Sequence, residues 1–432
     1  MSYASAATVA RSDRRRTLLG GAIGHFIEWY DWSIYGFLAA IFAAQMFPAS
    51  DPTASLIASF LAFALGFLGR PIGAFVLSPL ADKYGRRALL SATIIMTGIG
   101  SLAIALCPTY AQIGVAAPLL ITAARLLQGF SAGGEYQIAA SFLNEHGATE
   151  RRALDGSPQQ ISIGLAVLAA TGIASLTTKI FSAEQLTAFG WRMPFVVGAL
   201  LSLYGLYLRF GIAETSAFRN QEEAQSHVSV ASIIASIAQF PRQVFIVFVI
   251  QLGGFQYYLW MIFLPTYANL VGGLDRASGF TGSILASVAY CIGVPTFAHL
   301  SDRWGRRPFL IGSAACFLLF SYPLLKMLAV PNLSFGTFAF VAVVGALFIA
   351  LNNGVIGTVF AELFPTRVRA SGIGIPYAVS AAIFGGTAPV VTTWLHQAGG
   401  PLYVALYIML ICAIAVATHV FLTPETRGKP LE

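Results

Sequence analysis

LADKYGRRALL at residues 80–90 returns as LSDRWGRRPFL at residues 300–310, an offset of 220. A second echo accompanies it. Glu145 and Arg152 stand seven apart, as do Glu362 and Arg369, at an offset of 217. Two matches at nearly one offset argue for an internal duplication. The repeated loop has readable physics. Gly85 and Gly305 suit a tight turn between two helices. Asp82 and Asp302 can sit at a helix end, where they pair with arginines or cap a neighbouring helix. Asp82, Arg86 and Arg87, with Asp302, Arg306 and Arg307, therefore read as a latch that holds one end closed in one state and releases in another. The plainer reading is an ordinary basic loop, and a lone GRR would favour it. The duplicated Asp-basic-aromatic-Gly-Arg-Arg does not.

What lies between the loops is apolar. Of 432 residues, 57% are hydrophobic and 10% charged, with mean hydropathy +0.74; a soluble domain carries about 25% charged residues. Such a chain cannot cover itself with polar surface, so its solvent is the lipid bilayer. The 42 glycines and 33 phenylalanines agree, since Gly lets membrane helices approach closely. Apolar runs of spanning length recur twelve times, near 17–42, 53–77, 88–107, 115–141, 158–177, 192–211, 244–265, 281–299, 309–328, 336–358, 371–395 and 401–422. Parallel repeats about an axis along the membrane normal are one architecture for such a chain. The predicted fold is all-α, with twelve transmembrane helices in two pseudo-symmetric six-helix bundles. The predicted domains are 1–211 and 244–432, joined by the polar linker 212–243.

The net charge of +7 sits in short loops between spans, so membrane orientation explains it and no nucleic-acid partner is expected. Most Lys and Arg fall in alternate loops, which places both termini and the linker in the cytoplasm of a bacterial inner membrane. SDRRRTLLGG has some look of a twin-arginine signal. The apolar stretch after it contains Glu28 and Asp31 and runs on to Phe47, so a retained first span is expected. Cys107, Cys291, Cys316 and Cys412 lie in or beside apolar runs and read as small hydrophobes. No metal and no cofactor is expected, and no nucleotide loop or Ser-His-Asp arrangement points to an enzyme. A monomer is expected.

At these residues the chain resembles the major facilitator superfamily. DKYGRR, RLLQG at 125–129, DRWGRR and PETRG at 424–428 carry the likeness over nearly the whole length. GHFIEWYDWSIYG at 24–36, FLGRPIGA at 67–74, RLLQGFSAGGEY at 125–136, GWRMPF at 190–195 and AIFGGTAP at 382–389 resemble the bacterial metabolite:proton symporters. The resemblance implies proton-driven import of a small molecule by alternating access. AIFGGTAP and RLLQGFSAG look most like carriers of citrate, 2-oxoglutarate and related carboxylates. A di- or tricarboxylate is therefore the expected cargo. The alternative is a zwitterionic osmolyte such as proline or betaine, with an efflux antiporter behind both.

Ionisable residues inside spans are costly and default to function. Arg70 lies 12 residues before Asp82, about 18 Å from the loop by helix rise. Glu28 lies 12 residues after Arg16, at a similar depth, and Asp31 shares its helix face. Arg125 meets them from the fourth span, with Glu135 further along. The resemblance implies that Asp31 accepts the proton and Arg125 is its partner, with Glu28 and Glu135 also in the proton-coupling set. Arg70 either clamps a substrate carboxylate or pairs with Glu28. Further substrate contacts are expected from Tyr35, Gln128, Tyr136, Gln251, Gln256, Tyr257 and Asn352. At least one of Gln251, Gln256 and Tyr257 should face the cavity. Arg192 is either structural or attracts anions. Gly129, Gly133 and Gly134 read as packing contacts in the fourth span.

Overall fold

The computed structural model describes residues 3–49, 51–84, 86–133, 149–210 and 238–429. Every described element is helical. The first six passes are α1 (Tyr3–Met46), α2 (Pro52–Tyr84), α3 (Arg86–Leu106), α4 (Ala116–Ala132), α5 (Pro158–Ile180) and α6 (Met193–Phe210). The next four are α7 (Pro241–Gly272), α8 (Arg276–Trp304), α9 (Arg307–Leu328) and α10 (Phe335–Leu363). α11 (Thr366–Ser380) runs on into α12 (Ala388–Phe421), which breaks at Gly399 and Gly400. That break turns one long apolar rod into two passes and brings the total to twelve. Eight of the described helical stretches are long and apolar enough to cross a membrane.

Helix ends are set by local chemistry. Asp51 Oδ1 accepts from the Thr53 and Ala54 amides at 2.8 and 3.1 Å, starting α2. Asp275 and Ser334 cap α8 and α10 in the same way. Each cap satisfies amides that the helix cannot pair itself. Packing between α2 and α4 rests on glycine: a Cβ at Gly129 would lie 1.7 Å from the Gly66 carbonyl, and one at Gly133 2.0 Å from that of Arg70. Close backbone approach of this kind drives helix association where lipid offers no hydrophobic gain. Gly129 and Gly133 thus pack as expected, while Gly134 lies outside the described residues.

The halves meet through helix pairs that repeat the same relation. α5 packs on α8, and α2 packs on α11, the second and fifth helices of opposite halves each time. α1 meets α7 between them. Two departures from regular helix sit here. α7 turns at Gln251 and Leu252 and is π-helical over Tyr258–Phe263; a second π-helical segment, Ala381–Gly385, follows α11. Both lie where the halves touch, and such bulges gather at functional sites. The glycines of AIFGGTAP are the reason the second one fits: a Cβ at Gly385 or Gly386 would stand 2.8 Å from the rings of Tyr258 and Phe67 respectively.

Candidate functional site

Charge is concentrated on α1, α2 and α4, and it is almost fully buried. Arg70 Nη2 donates to Glu28 Oε1 at 3.2 Å, and His25 Nδ1 lies 3.9 Å from Glu28 Oε2. The Arg70 guanidinium also rests 4.6 Å from the Trp32 ring centre, 4.5 Å from Phe67 and 5.8 Å from Trp29. Of the two readings of Arg70, the geometry fits the partner of Glu28, its cation solvated by carboxylate and aromatic faces.

Asp31 and Arg125 are not in direct contact. Arg125 Nη1 donates to Gln128 Oε1 at 2.7 Å, and Gln128 Nε2 reaches Ser101 Oγ at 3.0 Å and Asp31 Oδ2 at 3.5 Å. Ser101 Oγ donates to Asp31 Oδ2 at 2.5 Å. Gln128 therefore stands between the two charges and is occupied there, away from the cavity. Arg125 lies 3.9 Å from the centre of the same Trp32 ring that Arg70 approaches, and 4.7 Å from Tyr35. One indole thus serves two guanidiniums. Tyr35 supports Arg125 and spends its hydroxyl on the Ser59 carbonyl at 2.9 Å, so it too lies apart from the cavity. Gly198 gives Asp31 its room: a Cβ there would lie 2.3 Å from Oδ1.

A cavity lies between the halves beside this cluster. It is lined by Trp29, Gln160, Gln251, Tyr257, Tyr258, Asn352, Asn353 and Tyr377, with two glycines and two isoleucines. No charged side chain is among these residues. The aromatic rings are clustered: Trp29 meets Tyr257 edge to face at 5.2 Å and stacks near Tyr258 at 5.8 Å. A polar string runs across the halves, from Gln160 through the Tyr290 hydroxyl at 3.3 Å to Asn353 at 2.8 Å. Gln256 does not join it. Its side chain turns to Cys412 at 3.0 Å, in a separate cavity within the second half. Arg192 is remote from both, donating to the carbonyls of Cys107 and Ala188 at 2.9 and 3.1 Å over the Trp191 ring. Of its two expected roles, structural or anion-attracting, the geometry fits the structural one, a brace at a helix end. Glu135 and Tyr136, and the side chains of Asp82, Arg86 and Arg87, lie outside the described residues.

The cavity is bounded at each end. Toward the repeated loops, Arg306 Nη1 donates to Asp302 Oδ1 at 2.6 Å and Nη2 to Glu362 Oε1 at 3.5 Å. Arg152, from the other half, reaches the same Glu362 oxygen at 2.8 Å. Asp302 also accepts from the Ala153 and Leu154 amides, both at 3.1 Å, capping a short helix of the opposite half. Arg307 is not in this crossing network; it holds the His419 and Val420 carbonyls at the end of α12. At the far end, Phe37 packs on Phe280 and Phe60 on Phe263, with centroids 5.9 and 5.1 Å apart.

The PETRG stretch braces the loop network. Thr426 Oγ1 donates to Glu362 Oε2 at 2.6 Å, and the Glu425 carboxylate accepts from the amides of Arg306, Arg307, Thr426 and Arg427. Partial burial alone would raise the Glu425 carboxyl, but those amides outweigh it and hold it below the usual carboxylate range. A group with a depressed folded-state pKa contributes stability above its unfolded value and loses it as pH falls through the folded one. Glu425→Ala is expected to cost about 1 kcal/mol at neutral pH, the usual worth of a cap. Thermal unfolding checks this: the gap between variant and parent should shrink below about pH 4, the ordinary carboxylate range. A gap that stays constant on acidification would remove Glu425 from the brace.

The family described as sugar (and other) transporter matches this sequence over residues 17–225 and again over 212–432. A glycine betaine/proline/ectoine/pipecolic acid transporter of Dickeya dadantii is 32% identical, over 97% of this chain and 85% of its own length. A proline/betaine transporter of Salmonella typhimurium is 31% identical over the same shares. Among solved structures, the D-xylose–proton symporter superposes with a TM-score of 0.72 at 18% identity, covering 96% of this chain and 99% of that one. A partially occluded, inward-open form of the xylose transporter of E. coli gives 0.74 at 17%, covering 97% and 100%. At such identity these structures speak for the fold alone.

Proposed function

This chain belongs to the sugar (and other) transporter family of the major facilitator superfamily, and from that premise we propose that it is a proton symporter importing a small zwitterion of the proline/betaine type. The observation that carries the cargo is the lining of the central cavity, which is aromatic and amide-rich and holds no formal charge among the described residues. A di- or tricarboxylate brings two or three negative charges into a dry site and needs cations to meet them. Arg70 and Arg125 are the cations at that depth, and both are engaged with neighbouring side chains outside the lining. A zwitterion brings no net charge. Its ammonium can lie against aromatic faces, and its carboxylate can take neutral donors. The names of the relatives favour the same class over the organic acid expected from the motifs.

Coupling is assigned to Asp31, buried and held by Ser101 and Gln128 one helix layer from the cavity. The Arg152–Glu362–Arg306–Asp302 network serves as the gate at the loop end, and the Phe37–Phe280 and Phe60–Phe263 contacts as the gate at the other. The loop end is the cytoplasmic end, with both termini there, and residues 212–243 link bundles 1–211 and 244–432. The test is uptake into proteoliposomes of labelled proline, glycine betaine, citrate and 2-oxoglutarate, with the lumen alkaline. We expect accumulation of a zwitterion and none of the two acids. Accumulation of citrate or 2-oxoglutarate alone would restore the carboxylate reading.

A further inference from the structure

Three hydrogen-bond donors at the cavity, on Trp29, Tyr257 and Tyr258, are without a partner among the described residues. Trp29 and Tyr257 both line it, and each is about 5% exposed. The Trp29 Nε1 and the Tyr257 hydroxyl are shut off from solvent without a hydrogen-bond partner among the described residues. A buried donor left unmade costs about 1–3 kcal/mol, and native interiors rarely leave one without reason. Here two of them sit on rings that meet edge to face at 5.2 Å, one from each half of the molecule.

We propose that these two donors form the carboxylate subsite of the cargo, and that neither arginine does. The proposal rests on the zwitterion reading for its cargo and on the geometry for its atoms. Two neutral donors suit one carboxylate, which accepts through both oxygens. The arginines are discounted by position: neither Arg70 nor Arg125 is among the described lining residues, and Arg70 Nη2 is held by Glu28 and Arg125 Nη1 by Gln128, although the Nε of each has no partner among the described residues. Because Trp29 belongs to α1 and Tyr257 to α7, a carboxylate held by both ties the two halves together at the cavity. Binding would then favour the state in which the halves are drawn close, which is what an occluding transporter requires.

The test uses the purified full-length protein and two variants that each remove one donor and keep a ring, Tyr257→Phe and Trp29→Phe. Ligand affinity is read by thermal stabilisation, with glycine betaine as the carboxylate-bearing probe and choline as the carboxylate-free one. We expect each variant to weaken glycine betaine about tenfold or more, the usual worth of a hydrogen bond to a charged group, while choline binding shifts by less than about threefold. Retained choline binding also certifies that the variant is folded. Equal losses for both probes, or no loss for either, would overturn the subsite. If the parent protein is stabilised by citrate and not by glycine betaine or proline, the zwitterion reading falls, and the same variants then test the subsite on citrate. If no carboxylate-bearing probe stabilises the parent, both fall.

Discussion

Asp31→Asn should abolish accumulation while leaving exchange intact. A one-unit pH gradient is worth about 1.4 kcal/mol per proton, or about tenfold in concentration. A one-proton symporter therefore raises its cargo about tenfold inside vesicles at that gradient, and a variant that cannot take the proton should stop at onefold. The structure makes this substitution clean. The asparagine oxygen can still accept from Ser101 and Gln128, as Asp31 does at 2.5 and 3.5 Å, and Gly198 leaves the room that the side chain needs. What is removed is a site for a proton in a setting where a charge is costly. Counterflow of labelled cargo against unlabelled cargo, with no gradient, should continue at a rate near that of the parent. Accumulation at the parent level would remove Asp31 from coupling. Loss of both accumulation and counterflow would place it in folding or binding instead.

Glu362→Ala should damage the molecule as much, through stability rather than coupling. Its side chain is fully buried and receives Arg152 at 2.8 Å, Arg306 at 3.5 Å and Thr426 at 2.6 Å. Truncation leaves two buried guanidiniums short of a carboxylate. Breaking a buried pair from one side costs about 3–5 kcal/mol, far more than the pair itself contributes. The loss should appear as a lowered midpoint in thermal unfolding in detergent. Because Arg152 and Glu362 lie on opposite halves, the same change should loosen the loop end and raise the reactivity of a cysteine introduced at cavity residue Asn353 toward a water-soluble reagent added on that side. The double variant Glu362→Gln with Arg152→Met removes both charges and should recover part of the lost stability, since the two sites are coupled. A fully additive double variant would mean that the crossing pair does not matter.

The architecture was legible because lipid imposes a length on each helix. Runs such as 336–358 could not be read otherwise, and Phe335–Leu363 is a helix. The gap between runs 371–395 and 401–422 was legible too, and the helix breaks within it at Gly399 and Gly400. The depth of Glu28 and Arg70 followed from helix rise alone, and they meet at 3.2 Å. What rise per residue does not supply is the lateral packing between helices. Asp31 and Arg125 lie at compatible depths, yet Gln128, one turn beyond Arg125 on α4, fills the space between them. Gln251 and Gln256 illustrate the same limit. A turn at Gln251 and Leu252 interrupts the helical period, and the two amides end in different cavities.

The aromatic half of the site was hidden for another reason. Charge stands out in an apolar span, whereas Trp29, Trp32 and Tyr258 are lost among 33 phenylalanines, 16 tyrosines and 6 tryptophans. EWYDWSIY at 28–35 does contain the clue, two tryptophans three apart, each directly after an acid on one helix. Such a pair can serve an arginine on one side and a cavity on the other. The charges drew the expected cargo toward a carboxylate, but Arg70 is paired with Glu28 and Arg125 is held by Gln128, and the described lining of the cavity is uncharged.

The most direct measurement follows protons rather than cargo. Proteoliposomes containing the full chain and a trapped pH-sensitive dye, with equal pH inside and out, receive glycine betaine or proline in the outer medium. Inward symport must then acidify the lumen as the zwitterion enters, and Asp31→Asn vesicles must not respond. Uptake of the zwitterion with no change in lumenal pH, or acidification driven by citrate and not by either zwitterion, would contradict this account.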